Sequence, residues 1–119
     1  MNLCIDIGNT STKAALYQHG QEIRYLKPFA LDTYKELENE FNLLHVLVCK
    51  TGENVALEAY ITETKGESAF LNPETELPIS LNYKTPHTLG RDRIATAVAA
   101  HYLDKEATWL VIDLGTCLT

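Results

Sequence analysis

Two stretches at opposite ends of the chain share one pattern: a short apolar run, an aspartate, one apolar residue, a glycine and then small polar residues. They are residues 3–13 and 110–119, so that Asp6 corresponds to Asp113. Apolar runs of this length predict strands, and a glycine among polar residues predicts a tight turn after each strand. Self-similarity within one chain indicates an internal duplication with two similar loops.

Further strands are predicted where short apolar or alternating runs lie between polar segments, at 14–17, 22–26, 45–49, 79–83 and 109–112. The first two follow the opening strand closely, which indicates three antiparallel strands joined by turns. Gly8 and Asn9 suit the first turn because both tolerate positive φ. The run at 45–49 is typical of a buried parallel strand. Residues 67–78 have the least regular pattern of the chain.

Three helices are predicted from apolar residues that recur every three or four positions, at 34–41, 55–65 and 91–103. Asp32 or Thr33 is expected to cap the first helix, and Asn54 the second. Three antiparallel N-terminal strands followed by βαβ units predict an α/β fold. Its mixed sheet would combine antiparallel and parallel strands, with helices on its flanks.

Length and charge narrow the class of protein. A chain of 119 residues allows one small domain with a modest core. The net charge of −6 disfavours nucleic acid or an anionic membrane as the main partner. Neither a leader peptide nor an apolar stretch of transmembrane length is predicted. Cys4, Cys49 and Cys117 are too scattered for a metal site or a disulfide framework, which fits a reducing cytoplasm. We expect Cys4 and Cys49 to be small buried residues.

The residues between Asp6 and Lys13 form the first candidate site. A glycine turn with several hydroxyl groups, a carboxylate on one side and a lysine on the other can hold a phosphate together with a metal ion. The simpler interpretation is an ordinary hairpin with a polar tip. The second copy of the pattern at residues 110–119 favours a pair of phosphate-facing loops.

The second candidate site is the segment 90–93, Gly-Arg-Asp-Arg, at the start of the third predicted helix. Gly90 permits close approach of a ligand, and the free N–H groups of a first helical turn favour an anion. This segment alone favours a structural interpretation, in which Asp92 is a common helix-start acid and the arginines are solvated charges. The sequence contains none of the usual nucleotide-binding P-loop, dinucleotide-binding or nucleophile-elbow motifs, and no histidine pair at metal-binding spacing.

Four motifs together carry a family resemblance: Asp-Ile-Gly-Asn-Thr at 6–10, Tyr-Lys-Thr-Pro at 83–86, Gly-Arg-Asp-Arg at 90–93 and Asp-Leu-Gly-Thr at 113–116. In this order they resemble type III pantothenate kinase, of the actin, sugar-kinase and heat-shock ATPase superfamily. The resemblance implies a ribonuclease H-like, actin-like ATPase domain over residues 1–109. Residues 110–119 would begin a second, duplicated domain whose remainder is absent from this chain.

The resemblance implies ATP-dependent phosphorylation of pantothenate to 4′-phosphopantothenate, the first step of coenzyme A biosynthesis. ATP would be bound by residues of the two loops, Asp6, Ile7, Gly8, Asn9, Thr10, Ser11, Thr12, Lys13 and Thr116. Mg²⁺ would lie near Asp6. Asp113 would bind the monovalent cation that the family uses, K⁺ or NH₄⁺.

The resemblance also implies the acceptor site. Pantothenate would be bound by Tyr83 and by the helix-start residues Gly90, Arg91, Asp92 and Arg93. Asp92 would be the general base, and the planar guanidinium of Arg93 suits the carboxylate of pantothenate. A cytoplasmic homodimer is implied. Cys117 departs from the small residue that the family usually has at this position.

Two other interpretations remain open. Another kinase or phosphatase of the same superfamily would keep both Asp-x-Gly loops but has no need of the motifs at 83–86 and 90–93. A non-catalytic nucleotide-binding or regulatory module would keep the loops without the chemistry of Asp92.

Overall fold

A computed structural model describes residues 1–64, 66–72 and 74–112. The described residues fall into two compact units, one formed by Met1–Asn72 and the other by residues from 74 to 112. The predicted elements at 113–119 lie outside the described residues.

The first unit contains a five-stranded mixed sheet. Its strands are β1 Asn2–Ile7, β2 Thr12–Gln18, β3 Gln21–Leu26, β4 His45–Lys50 and β5 Glu67–Phe70. Their spatial order is β3-β2-β1-β4-β5. Strands β1, β2 and β3 pair antiparallel, whereas β4 is parallel to β1 and β5 is parallel to β4. The predicted α/β class with three antiparallel N-terminal strands is therefore confirmed.

Two helices, α1 Leu31–Glu40 and α2 Val55–Glu63, pack on one face of this sheet. Apolar residues at alternate strand positions and on both helices form the core, among them Leu3, Ile5, Ile7, Leu16, Val46, Val48, Tyr34, Leu37, Leu57 and Ile61. A tyrosine pair joins the helices: the rings of Tyr34 and Tyr60 meet edge to face with centroids 5.7 Å apart. The Tyr60 hydroxyl donates a 2.9 Å hydrogen bond to Glu38 of α1.

The opposite side of the sheet, here called the outer face, consists of the strand positions between those core residues. Leu47 is 44% exposed and Tyr25 is 56% exposed there. Cys4 is exposed and Cys49 is half-buried, so the prediction that both are buried is wrong. Successive side chains of a strand point to opposite faces, and α1 and α2 cover only one of them.

Helix ends differ from the sequence prediction at both ends of α1, which was predicted at 34–41, and at the end of α2. The N-cap of α1 is Ala30, without a side-chain cap, so neither Asp32 nor Thr33 has the predicted role. The first turn of α1 instead begins at Leu31, two residues after the buried Phe29. Asn54 caps α2 as predicted, because its side chain accepts a hydrogen bond from the Leu57 N–H. The helix ends at Glu63, before the predicted boundary at residue 65.

The second unit contains a short 3₁₀ helix, Pro86–Thr88, and the helix α3 Arg91–Leu103, whose predicted bounds are confirmed. The strands predicted at 79–83 and 109–112 are wrong, since neither segment forms a strand among the described residues. An alternating pattern becomes a strand only where a neighbouring strand supplies backbone hydrogen bonds. The fifth strand instead lies at 67–70, within the segment of least regular pattern, where β4 is the neighbour.

In the part of the chain that the structure describes, no helix has the length and apolar character needed to cross a membrane.

The one-sided packing of the sheet makes a prediction about two leucines. Leu16 lies on the core face and is fully buried, whereas Leu47 lies on the outer face. We expect Leu16→Ala to lower the free energy of unfolding by about 2–5 kcal/mol, since it leaves a cavity in the core. Leu47→Ala is the matched control and should cost less than about 1 kcal/mol. Urea unfolding of both variants measures the difference, and equal losses would contradict a one-sided core.

Candidate active site

The loop of residues 8–11 joins β1 to β2 at the carboxyl end of β1. Ile7 and Thr12 are the last paired residues, and the Gly8 N–H donates a 3.2 Å hydrogen bond to the Ser11 carbonyl across the loop. Asn9 and Thr10 are exposed at its tip. The predicted tight turn with accessible hydroxyl and amide groups is therefore present. We call residues 8–11 the first loop.

The reason expected for glycine in this loop is wrong. Among the described residues, positive φ angles occur at His19 and Gly20, not at Gly8 or Asn9. Space is tight at Gly8, because a Cβ atom on it would lie 3.1 Å from the Ser11 carbonyl oxygen. Close approach of backbone to backbone is the second use that proteins make of glycine.

Asp6 and Lys13 stand side by side at the base of the first loop. They are direct partners in the antiparallel pairing of β1 and β2, and both side chains project on the outer face. The Lys13 ammonium nitrogen lies 3.5 Å from Asp6 Oδ2, with both side chains about 40% exposed. Because both side chains are partly exposed, a ligand can reach the two charged groups. An exposed ion pair of this kind contributes little to stability. The structure thus brings together the predicted carboxylate and lysine.

The loop that follows β4 lies directly against the first loop. Because β1 and β4 are parallel, their carboxyl ends meet at the same edge of the sheet. The Ile7 carbonyl accepts two hydrogen bonds from this neighbour, one from the Thr51 N–H at 2.9 Å and one from the Gly52 N–H at 2.8 Å. The peptide that leads into Gly8 is therefore held from the β4 side.

Glu58 of α2 joins the two ends of the loop after β4. One carboxylate oxygen accepts a 2.5 Å hydrogen bond from the Lys50 ammonium group, and the other accepts a 2.8 Å bond from the Asn54 N–H. Hydrogen bonding from Lys50, followed by that from the Asn54 backbone, lowers the pKa of Glu58 from its ordinary value.

The predicted acceptor residues lie in the second unit, at the start of α3. Asp92 folds back over the helix N-terminus, where its Oδ1 accepts a 3.0 Å hydrogen bond from the Arg93 N–H. A Cβ atom on Gly90 would overlap this oxygen, so a glycine is needed for the observed carboxylate position. The Arg91 guanidinium donates to the Leu89 carbonyl at 2.9 Å. Gly90, Arg91 and Asp92 therefore form one compact helix start.

The other two predicted acceptor residues, Arg93 and Tyr83, are both exposed. Between them, Thr85 and Thr88 share a 2.6 Å hydrogen bond between their hydroxyl groups within the short 3₁₀ turn. Asp113 and Thr116 lie outside the described residues.

The residues that sequence reasoning missed are Gly52 and Glu58. A glycine soon after a strand parallel to β1 was a usable signal, because the loops at such strand ends meet. The four-residue spacing of Asn54 and Glu58 was a second signal, since it resembles a capping box displaced by one position. The direct contact of Gly52 with the first loop depends on tertiary structure and could not be read from spacing.

The acidic side chains near Asp6 determine how a divalent cation could be bound there. No cluster of three or more histidine, cysteine, aspartate or glutamate side chains suited to a metal occurs among the described residues. Asp6 can therefore supply a single carboxylate to such an ion. Mg²⁺ accepts this arrangement when substrate phosphates and water complete its octahedron, so Asp6 fits a magnesium ion that arrives with a nucleotide.

The mixed sheet and its flanking helices are consistent with a fragment of an actin-like kinase. The family model of type III pantothenate kinase matches residues 2–119, and the chain belongs to this family.

Curated relatives described as type III pantothenate kinase agree with that assignment. The relative from Cytophaga hutchinsonii is 38% identical over 121 residues, which cover all of this chain and 50% of the relative. One from Bacteroides fragilis is 37% identical over 122 residues, and one from Phocaeicola vulgatus is 35% identical over 125 residues, with the same coverage. The chain thus spans about half the length of the curated relatives it matches, and corresponds to their N-terminal half.

The lowered pKa of Glu58 predicts a pH-dependent contribution to stability. Such a carboxylate stabilises the folded state above its unfolded pKa of about 4.5, and the contribution is lost as the pH falls through the lower folded value. We expect Glu58→Gln to reduce the free energy of unfolding at pH 7, and its deficit relative to wild type to shrink progressively below pH about 4.5.

Urea unfolding at several pH values measures this deficit. Lys50→Met should reproduce much of the effect, because Lys50 is the largest cause of the shift. A deficit for Glu58→Gln that stays constant from pH 7 to pH 3 would contradict the assignment of this pH dependence to the Glu58 carboxylate.

Proposed function

We propose that this chain is the N-terminal part of a kinase that transfers the γ-phosphoryl group of ATP to pantothenate, giving 4′-phosphopantothenate and ADP. The observation that carries the proposal is the placement of Asp6 and Lys13 beside a glycine turn whose preceding carbonyl is held by two N–H groups. Phosphoryl transfer depends mainly on positioning and charge stabilisation, and such a turn offers both.

ATP phosphates would contact the first loop, with Lys13 supplying positive charge and Thr116 contributing from the second Asp-x-Gly loop. Asp6 would provide the protein's carboxylate to Mg²⁺, which neutralises charge on the phosphates when bound. Asp113 would bind K⁺ or NH₄⁺. The net charge of −6 makes these local positive groups and turn amides necessary for an anionic ligand.

Pantothenate would be bound by Tyr83 and the helix start 90–93, with its carboxylate on Arg93. Since Asp92 Oδ1 already accepts the Arg93 N–H, Oδ2 is the atom available to take the proton of the primary hydroxyl. The hydroxyl oxygen then forms its bond to the γ-phosphorus while the bond to the β-phosphate oxygen breaks and ADP leaves. The proton remains on Asp92 until product release.

The strand order β3-β2-β1-β4-β5 supports a ribonuclease H-like topology for the first domain. Residues 1–109 would form this domain, and 110–119 would open the second. A cytoplasmic homodimer is part of the same proposal. A non-catalytic nucleotide-binding module remains the alternative, and Asp92 is the residue that separates the two.

Asp92→Asn tests the base. The amide keeps an oxygen for the Arg93 N–H but cannot take a proton at the hydroxyl. In a chain that also carries the segment present in the full-length relatives, we expect kcat to fall by about 10²-fold or more, with the Kd for ATP changed less than about twofold. Asp104→Asn is a matched control, since the Asp104 carboxylate likewise accepts a backbone N–H, from Glu106, near the end of α3. Unchanged turnover in Asp92→Asn would remove Asp92 as base and favour the non-catalytic module.

Gly90→Ala tests the position of the same carboxylate. The added methyl group overlaps Asp92 Oδ1, and the movable side chain would give way at small cost. We expect a nearly unchanged melting temperature together with a fall in kcat of about tenfold, since a displaced base is poorly aligned with the hydroxyl. Thermal unfolding and steady-state kinetics measure the two effects. Full activity would show that the observed position of Asp92 is not the catalytic one.

A further inference from the structure

We propose that the segment 50–54, here called the supporting loop, positions the first loop for the phosphates of ATP, with Gly52 and Glu58 as positioning residues. The role of the first loop rests on the proposed function. The coupling between the two loops stands on contacts within the first unit alone.

The first contact is through the backbone. The Thr51 and Gly52 N–H groups both donate to the Ile7 carbonyl, at 2.9 and 2.8 Å. This carbonyl belongs to the last residue of β1, so its two bonds determine the orientation of the peptide that enters Gly8. Backbone bonds of this kind have well-defined direction, and two on one oxygen leave that peptide little freedom.

The second contact is steric. Gly52 is buried, and a Cβ atom on it would lie 2.6 Å from the Gly8 carbonyl carbon and 2.9 Å from the Asn9 nitrogen, while overlapping the Gly8 oxygen. All three atoms belong to the backbone of the first loop. A side chain at position 52 therefore cannot be accommodated by a rotamer change and must displace the first loop or the supporting loop.

The third observation explains why the supporting loop can hold the first loop in position. Glu58 bonds Lys50 at the start of the supporting loop and the Asn54 N–H at its end. The Asn54 side chain in turn accepts the Leu57 N–H at 3.3 Å, and Leu57 is fully buried in the core. The supporting loop is thus anchored to α2 at both ends, and through α2 to the core.

A phosphate-binding turn works only when its N–H groups already point to where charge will lie. Displacements of about 1 Å in such groups can cost about 10²-fold in rate. Gly52 acts on the orientation of the first loop without contacting ATP itself. Its substitution should therefore weaken ATP use selectively and leave the acceptor site in the second unit unaffected.

Gly52→Ala is the direct test, made in the full-length kinase that includes these residues. We expect the KM and Kd for ATP to rise about tenfold or more while the KM for pantothenate changes less than about twofold. Amide hydrogen exchange in the first loop should become faster in the absence of nucleotide. Gly66→Ala is the matched control, since its Cβ would make an ordinary 3.4 Å contact with the Leu43 carbonyl.

Glu58→Ala provides a second variant that introduces no clash, in case Gly52→Ala fails to fold. It releases both ends of the supporting loop and should raise the KM for ATP about threefold, again with faster exchange in the first loop. Glu40→Ala is its control, because it removes a carboxylate that pairs with Arg24 at 2.8 Å elsewhere in the first unit.

The outcomes separate this inference from the function on which it rests. If folded Gly52→Ala and Glu58→Ala both keep wild-type ATP affinity and wild-type exchange in the first loop, the positioning role is wrong although the kinase assignment stands. If the wild-type protein binds no ATP, the proposed function is wrong. Exchange in the first loop would then still report whether the two loops are coupled.

Discussion

The candidate site depends on the parallel pairing of β1 with β4. Parallel strands end at the same edge of a sheet, so the loops after Ile7 and Lys50 must meet. The Ile7 carbonyl would otherwise have an unused acceptor at the end of its strand, and the two N–H groups of the neighbouring loop supply its partners. One strand pairing therefore determines both the position of the first loop and the orientation of its entering peptide.

Local chemistry made part of this fold predictable. The turn after β1, the Asn54 cap and the bounds of α3 each depend on residues close together in sequence. The fifth strand was misplaced because the alternating pattern at 79–83 was stronger than that at 67–70. Only a place beside β4 gives the latter segment its hydrogen bonds. The burial of Cys4 and Cys49 was predicted wrongly for a similar reason. An apolar run predicts a strand but does not indicate which face of that strand the helices cover.

The candidate site residues also divide into those predictable from nearby sequence and those that depend on contacts between distant segments. Asp6 and Lys13 could be predicted as neighbours, because a short loop between antiparallel strands brings them opposite each other. The need for glycine at position 8 was predicted for the wrong reason. The feature observed there is tight space beside the Ser11 carbonyl oxygen of the same loop, and not a positive φ angle. The requirement for glycine at position 52 involves the backbone of the first loop as well, so it has no signature in either segment alone.

Gly52 and Gly90 illustrate two different consequences of close packing. At Gly90 the neighbouring atom is the end of a side chain, which can rotate away, so a methyl group there would displace the Asp92 carboxylate at small cost in stability. At Gly52 the neighbouring atoms are backbone atoms of the first loop, so the same methyl group must shift a main chain anchored in the core. Backbone contacts thus hold the first loop, whereas the helix start that carries Asp92 holds its carboxylate in a position that a single methyl group can change.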